Sequence, residues 1–136
     1  VVRFPFMIGP SIIEGKKHFY DVIVETIQDG RCMEMFEDAY KTALDFNTAV
    51  GVLVELTKSY SPEMPKVLNI AGDDVLSKYD IGLIIADKYN VSHELIVPIS
   101  VKEDTKIFTE KRADCTLMDN SAVKKVLGLT ELKLKF

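Results

Sequence analysis

The sequence has few of the residues that build metal centres or disulfide frameworks. It contains two cysteines, two histidines and no tryptophan among 136 residues. Cys32 and Cys115 form no Cys-x-x-Cys pair, and His18 and His93 have no cysteine or carboxylate at ligand spacing, so no metal site is predicted. Two separated thiols are typical of a reduced, cytoplasmic protein, with a disulfide between them as the alternative.

Long apolar runs and an excess of basic charge are also missing. No stretch approaches the ~20 apolar residues of a membrane span, and the beginning lacks the basic region and cleavage site of a signal peptide. The 17 basic and 21 acidic side chains give a net charge of -4, which argues against a broad nucleic-acid surface. Because the sequence opens on Val1-Val2, inside a strand pattern, we expect a piece of a longer protein.

What remains is a globular composition, with 47% hydrophobic and 28% charged residues. This length suits a single domain over residues 1–136. Strand and helix patterns alternate along it, which predicts an α/β class, in the broader sense an α+β fragment. Strands are predicted at Val1–Ile8, Arg31–Glu37, Val67–Ala71 and Leu95–Val101. Helices are predicted at Lys17–Asp29, from Asp45 or Asn47 to about Ser59, from Ser77 to about Tyr89, and from Asp119 or Ser121 to Gly128.

Local signals refine three of these elements. The second helix is expected to bury an apolar side made of Val50, Leu53, Val54 and Leu56. Ser77-Lys78-Tyr79-Asp80 has the spacing of a capping box, in which serine and aspartate satisfy each other's backbone N–H groups. Pro98 places the last strand at an edge or bulge, because proline lacks a donor for the ladder.

Five motifs occur in the order seen in one enzyme family. They are Val2-Arg3-Phe4-Pro5-Phe6-Met7-Ile8-Gly9-Pro10, Val67-Leu68-Asn69-Ile70-Ala71-Gly72, Ser77-Lys78-Tyr79-Asp80, Ile96-Val97-Pro98-Ile99-Ser100, and Lys111-Arg112-Ala113 with Leu117-Met118-Asp119 and Val126-Leu127-Gly128. Together they resemble the C-terminal part of extended short-chain dehydrogenases, in particular the dTDP-4-dehydrorhamnose reductase group.

The resemblance implies a substrate-binding domain from a Rossmann-type oxidoreductase. In such an enzyme, NAD(P)H bound on an N-terminal Rossmann domain reduces a nucleotide-linked 4-keto sugar, a step of rhamnose biosynthesis. The methionine adenosyltransferase regulatory subunit shares this C-terminal pattern. A non-catalytic regulatory or binding homologue is therefore the alternative, and an unrelated α+β domain with a chance motif order is a third.

The catalytic and cofactor-binding signatures of the family are missing from this chain. The seven glycines build no Gly-x-x-Gly-x-x-Gly or Gly-x-Gly-x-x-Gly turn, and no tyrosine is followed by lysine four positions later. That spacing matters because the lysine charge lowers the pKa of the tyrosine for proton transfer. We expect the chain alone to be inactive, to contain no catalytic residue and to bind no NAD(P)H.

By position in the family, Phe4 and Pro5 would face the cofactor and Phe6 would contact the substrate sugar. Ordinary core or surface roles for Phe4 and Phe6 remain open. Arg112 is the candidate for the nucleotide diphosphate, because a guanidinium can bind two phosphate oxygens at once. Ala113 stands where the family usually has proline, so a solvent-exposed Arg112 without a ligand is the alternative.

The first and third predicted strands would normally belong to the parallel Rossmann sheet. Without the rest of that sheet they would expose edges and apolar surface. The predicted partners are therefore the nucleotide sugar, the protein's own N-terminal Rossmann domain, and further copies of this chain through strand pairing.

Overall fold

The predicted α/β class is confirmed by the computed structural model, which describes residues 1–102, 110 and 113–135. In this part of the chain four α-helices alternate with short strands, several of them paired in parallel. The strands are β1 Val2–Arg3, β2 Phe6–Ile8, β3 Met33–Phe36, β4 Tyr40–Asp45, β5 Leu68–Asn69, β6 Val75–Leu76, β7 Ile96–Ile99 and β8 Cys115–Thr116. The helices are α1 Phe19–Gln28, α2 Phe46–Lys58, α3 Lys78–Lys88 and α4 Ser121–Leu127, with a 3-10 turn at His93–Leu95.

The chain divides into two compact units, each made of separate stretches. The first unit consists of Val1–Ile8, Lys41–Val75 and Leu117–Lys135, and the second is built from Gly9–Tyr40 and Leu76–Thr116. The prediction of one substrate-binding domain concerns the role of the whole chain, and it stays a prediction.

Two parallel strand pairs shape the first unit. β1 runs beside β5, with Val2 opposite Leu68. β2 runs beside β4, with Phe6 opposite Ala43, and β4 lies between β2 and β6. The prediction of one continuous buried strand over residues 1–8 is therefore wrong: two strands with different partners replace it, interrupted at Phe4 and Pro5.

Helix α2 begins where Asp45 ends β4. The Asp45 carboxylate accepts a hydrogen bond from the backbone N–H of Thr48 at 2.8 Å, which confirms Asp45 as the N-cap. The side that α2 buries is Ala49, Val52 and Leu56. Of the predicted apolar side only Leu56 is buried, and the other three members are exposed: Val50, Leu53 and Val54.

One cluster of apolar side chains joins α2, α4 and the strands of the first unit. Its buried members are Leu44, Ala49, Val52, Leu56, Leu68, Ile70, Val123 and Leu132. A valine, leucine or isoleucine side chain stabilises the fold by about 1.5–3 kcal/mol when it is fully buried. Helix α4 ends at Leu127, and the predicted stop at Gly128 is confirmed. Gly128 is the C-cap and has the left-handed φ of 64° that glycine adopts easily.

The second unit packs helices α1 and α3 with the parallel pair β3 and β7. The predicted capping box at the start of α3 is confirmed: Asp80 N–H donates to Ser77 Oγ at 3.0 Å, and Ser77 N–H donates to the Asp80 carboxylate at 2.8 Å. Pro98 lies in β7, which pairs only with β3 in the described residues, so its edge position is confirmed. Among those residues, no helix combines the length and apolarity that a membrane crossing requires.

Candidate functional site

The interruption between β1 and β2 is the feature of the first unit that brings predicted site residues to the surface. At Phe4 and Pro5 the chain leaves the pairing with β5 and enters the pairing with β4. Proline has no backbone N–H to donate to a ladder, so the pairing stops where Pro5 stands. In open parallel sheets, ligands bind in the crevice beyond the carboxyl ends of the strands, at the point where the strand order reverses.

Three of the four predicted site residues lie on this short segment. Phe4 is 42% exposed, while Pro5 and Phe6 are half-buried. All three therefore keep apolar surface that a flat ring or a sugar could cover. Arg112, the fourth, lies outside the described residues.

A positive charge accompanies the aromatic residue expected to contact the sugar. Lys41 Nζ lies 5.1 Å from the centre of the Phe6 ring. Such a cation–π contact is worth about 0.5–1 kcal/mol at an exposed site. The sequence patterns did not single out Lys41, because Lys41 lies next to Phe6 only through the pairing of β2 with β4.

Two buried polar atoms lie on the strands that flank the interruption. Thr42 Oγ1 and Asn69 Oδ1 are buried, and neither has a hydrogen-bond partner within residues 1–102, 110 and 113–135. Asn69 stands opposite Arg3 in the β1–β5 register. The β2–β4 register continued back by one residue places Thr42 opposite Pro5. Buried oxygens without partners are uncommon, and they are places where a water or a ligand group gains a hydrogen bond.

Gly72 fixes the position of the chain that follows β5. A Cβ on Gly72 would lie far inside van der Waals contact of the Ala43 carbonyl oxygen. Since a backbone oxygen cannot move aside as a flexible side chain can, only glycine lets the chain pass this close to β4. The glycine that ends the Val67–Gly72 motif is therefore required by the packing of this fold.

A tyrosine–lysine cluster occurs in the second unit, where it joins α1 to the end of α3. Lys88 Nζ donates to Tyr20 Oη at 3.1 Å, and Tyr20 Oη lies 3.2 Å from Tyr89 Oη. Tyr20 is only 3% exposed. The hydrogen bond with Tyr20, together with burial, raises the pKa of Tyr89. The cluster therefore serves the packing of α1 against α3.

The described residues also contain no group of three histidine, cysteine or acidic side chains placed to hold a metal ion. Within that part, both Cys32 and Cys115 are exposed free thiols. The residues around the interruption thus combine apolar and aromatic surface with a nearby positive charge.

No protein-family model and no curated protein sequence matches this chain. Solved structures do match it. The dTDP-4-dehydrorhamnose reductase from Bacillus anthracis in complex with NADP has a TM-score of 0.77 at 10% identity, over 98% of this chain and 43% of that chain. A hypothetical dTDP-4-dehydrorhamnose reductase from Sulfolobus tokodaii has a TM-score of 0.74 at 17% identity, over 98% and 44%.

The dTDP-glucose 4,6-dehydratase from Bacillus anthracis in complex with NAD has a TM-score of 0.67 at 12% identity, over 99% of this chain and 39% of that chain. The predicted likeness to extended short-chain dehydrogenases is thus confirmed as a likeness of fold, namely of a partial Rossmann-like fold. This chain spans less than half the length of these three proteins.

Proposed function

We propose that this chain is the C-terminal, substrate-binding part of an NAD(P)-dependent sugar-nucleotide reductase resembling dTDP-4-dehydrorhamnose reductase. The observation that carries the proposal is the fold match over 98% of the chain with two such reductases. The five sequence motifs in family order support it independently of the fold. The intact, cytoplasmic protein would transfer hydride from NAD(P)H to the keto group of a nucleotide-linked 4-keto sugar.

In this proposal Phe4 and Pro5 face the nicotinamide cofactor and Phe6 contacts the sugar. Their partial exposure at the interruption between β1 and β2 supports these roles. The Lys41 ammonium beside the Phe6 ring supports an anionic ligand such as a nucleotide sugar. Arg112 binds the diphosphate through two N–H groups.

The chemistry itself belongs to the rest of the protein. The intact protein would supply a glycine-rich turn for NAD(P)H and a Tyr-x-x-x-Lys pair on its own N-terminal Rossmann domain. This chain alone would bind no NAD(P)H and reduce nothing. Micromolar affinity for NADPH in a calorimetric titration of the 136-residue chain would contradict this part of the proposal.

The direct test is turnover by the intact protein, followed by loss of NADPH absorbance with a dTDP-linked 4-keto sugar. Arg112→Ala should weaken nucleotide-sugar binding by ~1.5–3 kcal/mol, the scale of a lost charged hydrogen bond. The matched control is Arg31→Ala, which removes an exposed guanidinium bound to Asp29 and should leave affinity unchanged. Equal affinity of the Arg112→Ala variant and the unmodified protein would remove Arg112 from the site.

The same assay separates the reductase from its alternative. If the intact protein binds the nucleotide sugar but turns over none of it, a regulatory homologue, like the methionine adenosyltransferase regulatory subunit, replaces the reductase. If it binds no nucleotide sugar at all, both proposals fail.

Self-association of this chain through its strand edges is a further part of the proposal. β1 and β5 form a two-stranded sheet whose outer edges meet no other strand in the described residues. Val1 and Val67, next to these strands, are exposed apolar residues. Unpaired edges with apolar neighbours favour pairing between copies. Light scattering should show dimers or larger species, and a monomeric mass at high concentration would contradict strand pairing.

A further inference from the structure

Helix α2 carries a second apolar stripe that stays exposed in the first unit. Val50 is 59% exposed, Leu53 39% and Val54 45%. Thr57, on the next turn, is also exposed, and its hydroxyl already donates to the Leu53 carbonyl at 2.8 Å. Because these four residues recur every three to four positions, they form one row along the helix, called here the outer stripe. A partner that covered this row would bury no charge and leave no hydroxyl unpaired.

Helix α2 belongs to the connection between two parallel strands. β1 and β5 run parallel, and the chain that leads from one to the other enters β5 from α2. Leu68 belongs to the apolar cluster that α2 and α4 share, and Val2, opposite Leu68, packs against it, so both helices cover this face of the strand pair. Connections between parallel strands of one sheet are right-handed in about 98% of cases. A second connection that crosses the sheet in the same direction therefore places its helix on the same face.

The outer stripe lies on the flank of α2 that is turned away from α4. Gly51 and Glu55 line one cavity together with Leu127 and Leu129, at and after the end of α4, so their flank of α2 faces α4. At 3.6 residues per turn, the outer stripe lies on roughly the opposite flank. Helix α4 packs against β5, and β1 pairs with the other edge of the same strand. The outer stripe is therefore on the side of β1 and of its free edge.

We propose that the outer stripe docks the helix that leads into β1 from the N-terminal Rossmann part of the intact protein. This inference rests on the proposed function, in which a parallel sheet continues at the free edge of β1. A connection from a strand at that edge into β1 crosses the sheet in the same direction as the connection from β1 to β5. Its helix then lies on the face that carries α2. Since it covers the sheet on the β1 side, it lies next to α2 and meets the outer stripe.

The side chains of the outer stripe fit an apolar helix face. Three of the four are β-branched, so they are stiff at χ1 and lose little freedom when they are buried. Residues three and four positions apart form the ridges by which helices pack at about 8–10 Å. The charged residues of this stretch of α2, Glu55 and Lys58, pair with each other at 2.8 Å on the far flank, so docking leaves their charges in water.

The first test measures thiol reactivity along α2 in the intact protein. Cys32 and Cys115, both exposed, are first replaced by serine. A single cysteine is then introduced as Leu53→Cys or Val50→Cys on the outer stripe, or as Glu55→Cys on the far flank as the matched control. Docking makes the reaction with a maleimide wait for local opening, so the two stripe thiols should react at least about 100-fold more slowly than the control. Equal rates at both stripe positions and the control would overturn the proposal.

The second test identifies what covers the outer stripe. Leu53 of the intact protein is replaced by the photo-crosslinker p-benzoylphenylalanine, and the irradiated protein is digested and mapped by mass spectrometry. The link should join α2 to the helical peptide that directly precedes β1 in the same copy, with no change in the mass of the denatured chain. A link that doubles this mass shows a second copy on the stripe, and a link to any other segment shows a different neighbour. Either result would overturn the proposal. Val50 is the second position if the Leu53 variant does not fold.

Neither test depends on turnover, so the docking and the proposed function can fail separately. NADPH oxidation and nucleotide-sugar binding are measured on the same preparations. A protected thiol and a link to the preceding helix, in a protein that neither binds nor reduces a nucleotide sugar, would support the docking and reject the proposed function. A freely reacting Leu53→Cys thiol in an active reductase would reject the docking and leave the proposed function standing.

Discussion

The two units each contain a helix with a glycine in its middle, and the two glycines have opposite surroundings. In α3 of the second unit, a Cβ on Gly82 would lie 2.5 Å from Met35 Sδ and 3.0 Å from Ile96 Cγ2. In α2 of the first unit, a Cβ on Gly51 would meet no described atom within 4 Å outside its own helix. Gly82 is explained by what packs against it, whereas no described residue outside α2 packs against Gly51.

The two helices differ in whether other residues pack against the glycine. The buried face of α3 includes Ile81, Ile85 and Ala86, and Gly82 lets Met35 and Ile96 approach its backbone. Helix α2 buries the face made of Ala49, Val52 and Leu56 and leaves Gly51 exposed. Substitution of the two glycines by the same residue should therefore have opposite effects.

Gly82→Leu has the largest expected effect. The new side chain would overlap the buried Met35, and overpacking of this kind costs about 1–3 kcal/mol or more. We expect the free energy of unfolding, measured by urea denaturation, to fall by about 3 kcal/mol. Met35→Ala in the same chain makes room for the leucine and should recover at least about 1 kcal/mol. If the double variant is as unstable as the sum of the two single variants, Met35 is not the obstacle.

The helix caps give the next largest effect and should again differ between the units. Asp45→Ala removes the cap of α2 and the acceptor for Lys135 N–H, so we expect a loss of about 2 kcal/mol. Ser77→Ala removes a capping box that serves α3 alone, for a loss of about 1 kcal/mol. Asp45→Asn, which keeps one oxygen, is the control for the cap. Equal losses in the two alanine variants would mean that the bond to Lys135 contributes nothing.

The caps could be predicted from sequence because a cap depends on residues only three positions apart. Ser77 and Asp80 needed no knowledge of the rest of the chain, and Asp45 was one of two candidates for α2. The buried side of α2 could not be predicted. Val50, Leu53 and Val54 form an apolar stripe as regular as that of Ala49, Val52 and Leu56, and tertiary packing decides between them.

The candidate site divides in the same way between local and long-range information. Phe4, Pro5 and Phe6 are neighbours in sequence, so their grouping followed from the motif. The interruption at Pro5, the partnership of Lys41 with Phe6 and the buried oxygens of Thr42 and Asn69 depend on strand pairings between distant segments. Strand β4 carries lysine, threonine and aspartate among its six residues, so it does not form the apolar run that indicates a buried strand.

We expect acid to destabilise the first unit through protonation of Asp73. Hydrogen bonds from Lys124 and Asn120, and from the backbone of Leu132, lower the pKa of Asp73 to about 2. A lowered pKa means that its stabilisation is complete above the unfolded value of 3.8 and is lost as the pH falls from about 4 to about 2. Allowing for solvent screening, we expect a loss of roughly 1–2 kcal/mol.

Asp73→Asn tests the assignment, because it keeps the shape of the side chain and removes the titrating group. Urea unfolding at a series of pH values should show a smaller stability change between pH 4 and 2 in this variant. An identical pH profile in the two proteins would assign the acid sensitivity to other carboxylates.

Gly51→Ala has the smallest expected effect, and it is the one with a favourable sign. The alanine Cβ enters open space, so the helix-propensity gain of about 0.5–1 kcal/mol is not opposed by a clash. Urea denaturation should give a higher free energy of unfolding than in the unmodified chain, while Gly82→Ala should give a lower one. If Gly51→Ala also destabilises the protein, α2 is packed on that side, and the contrast between the open helix of the first unit and the filled helix of the second is lost.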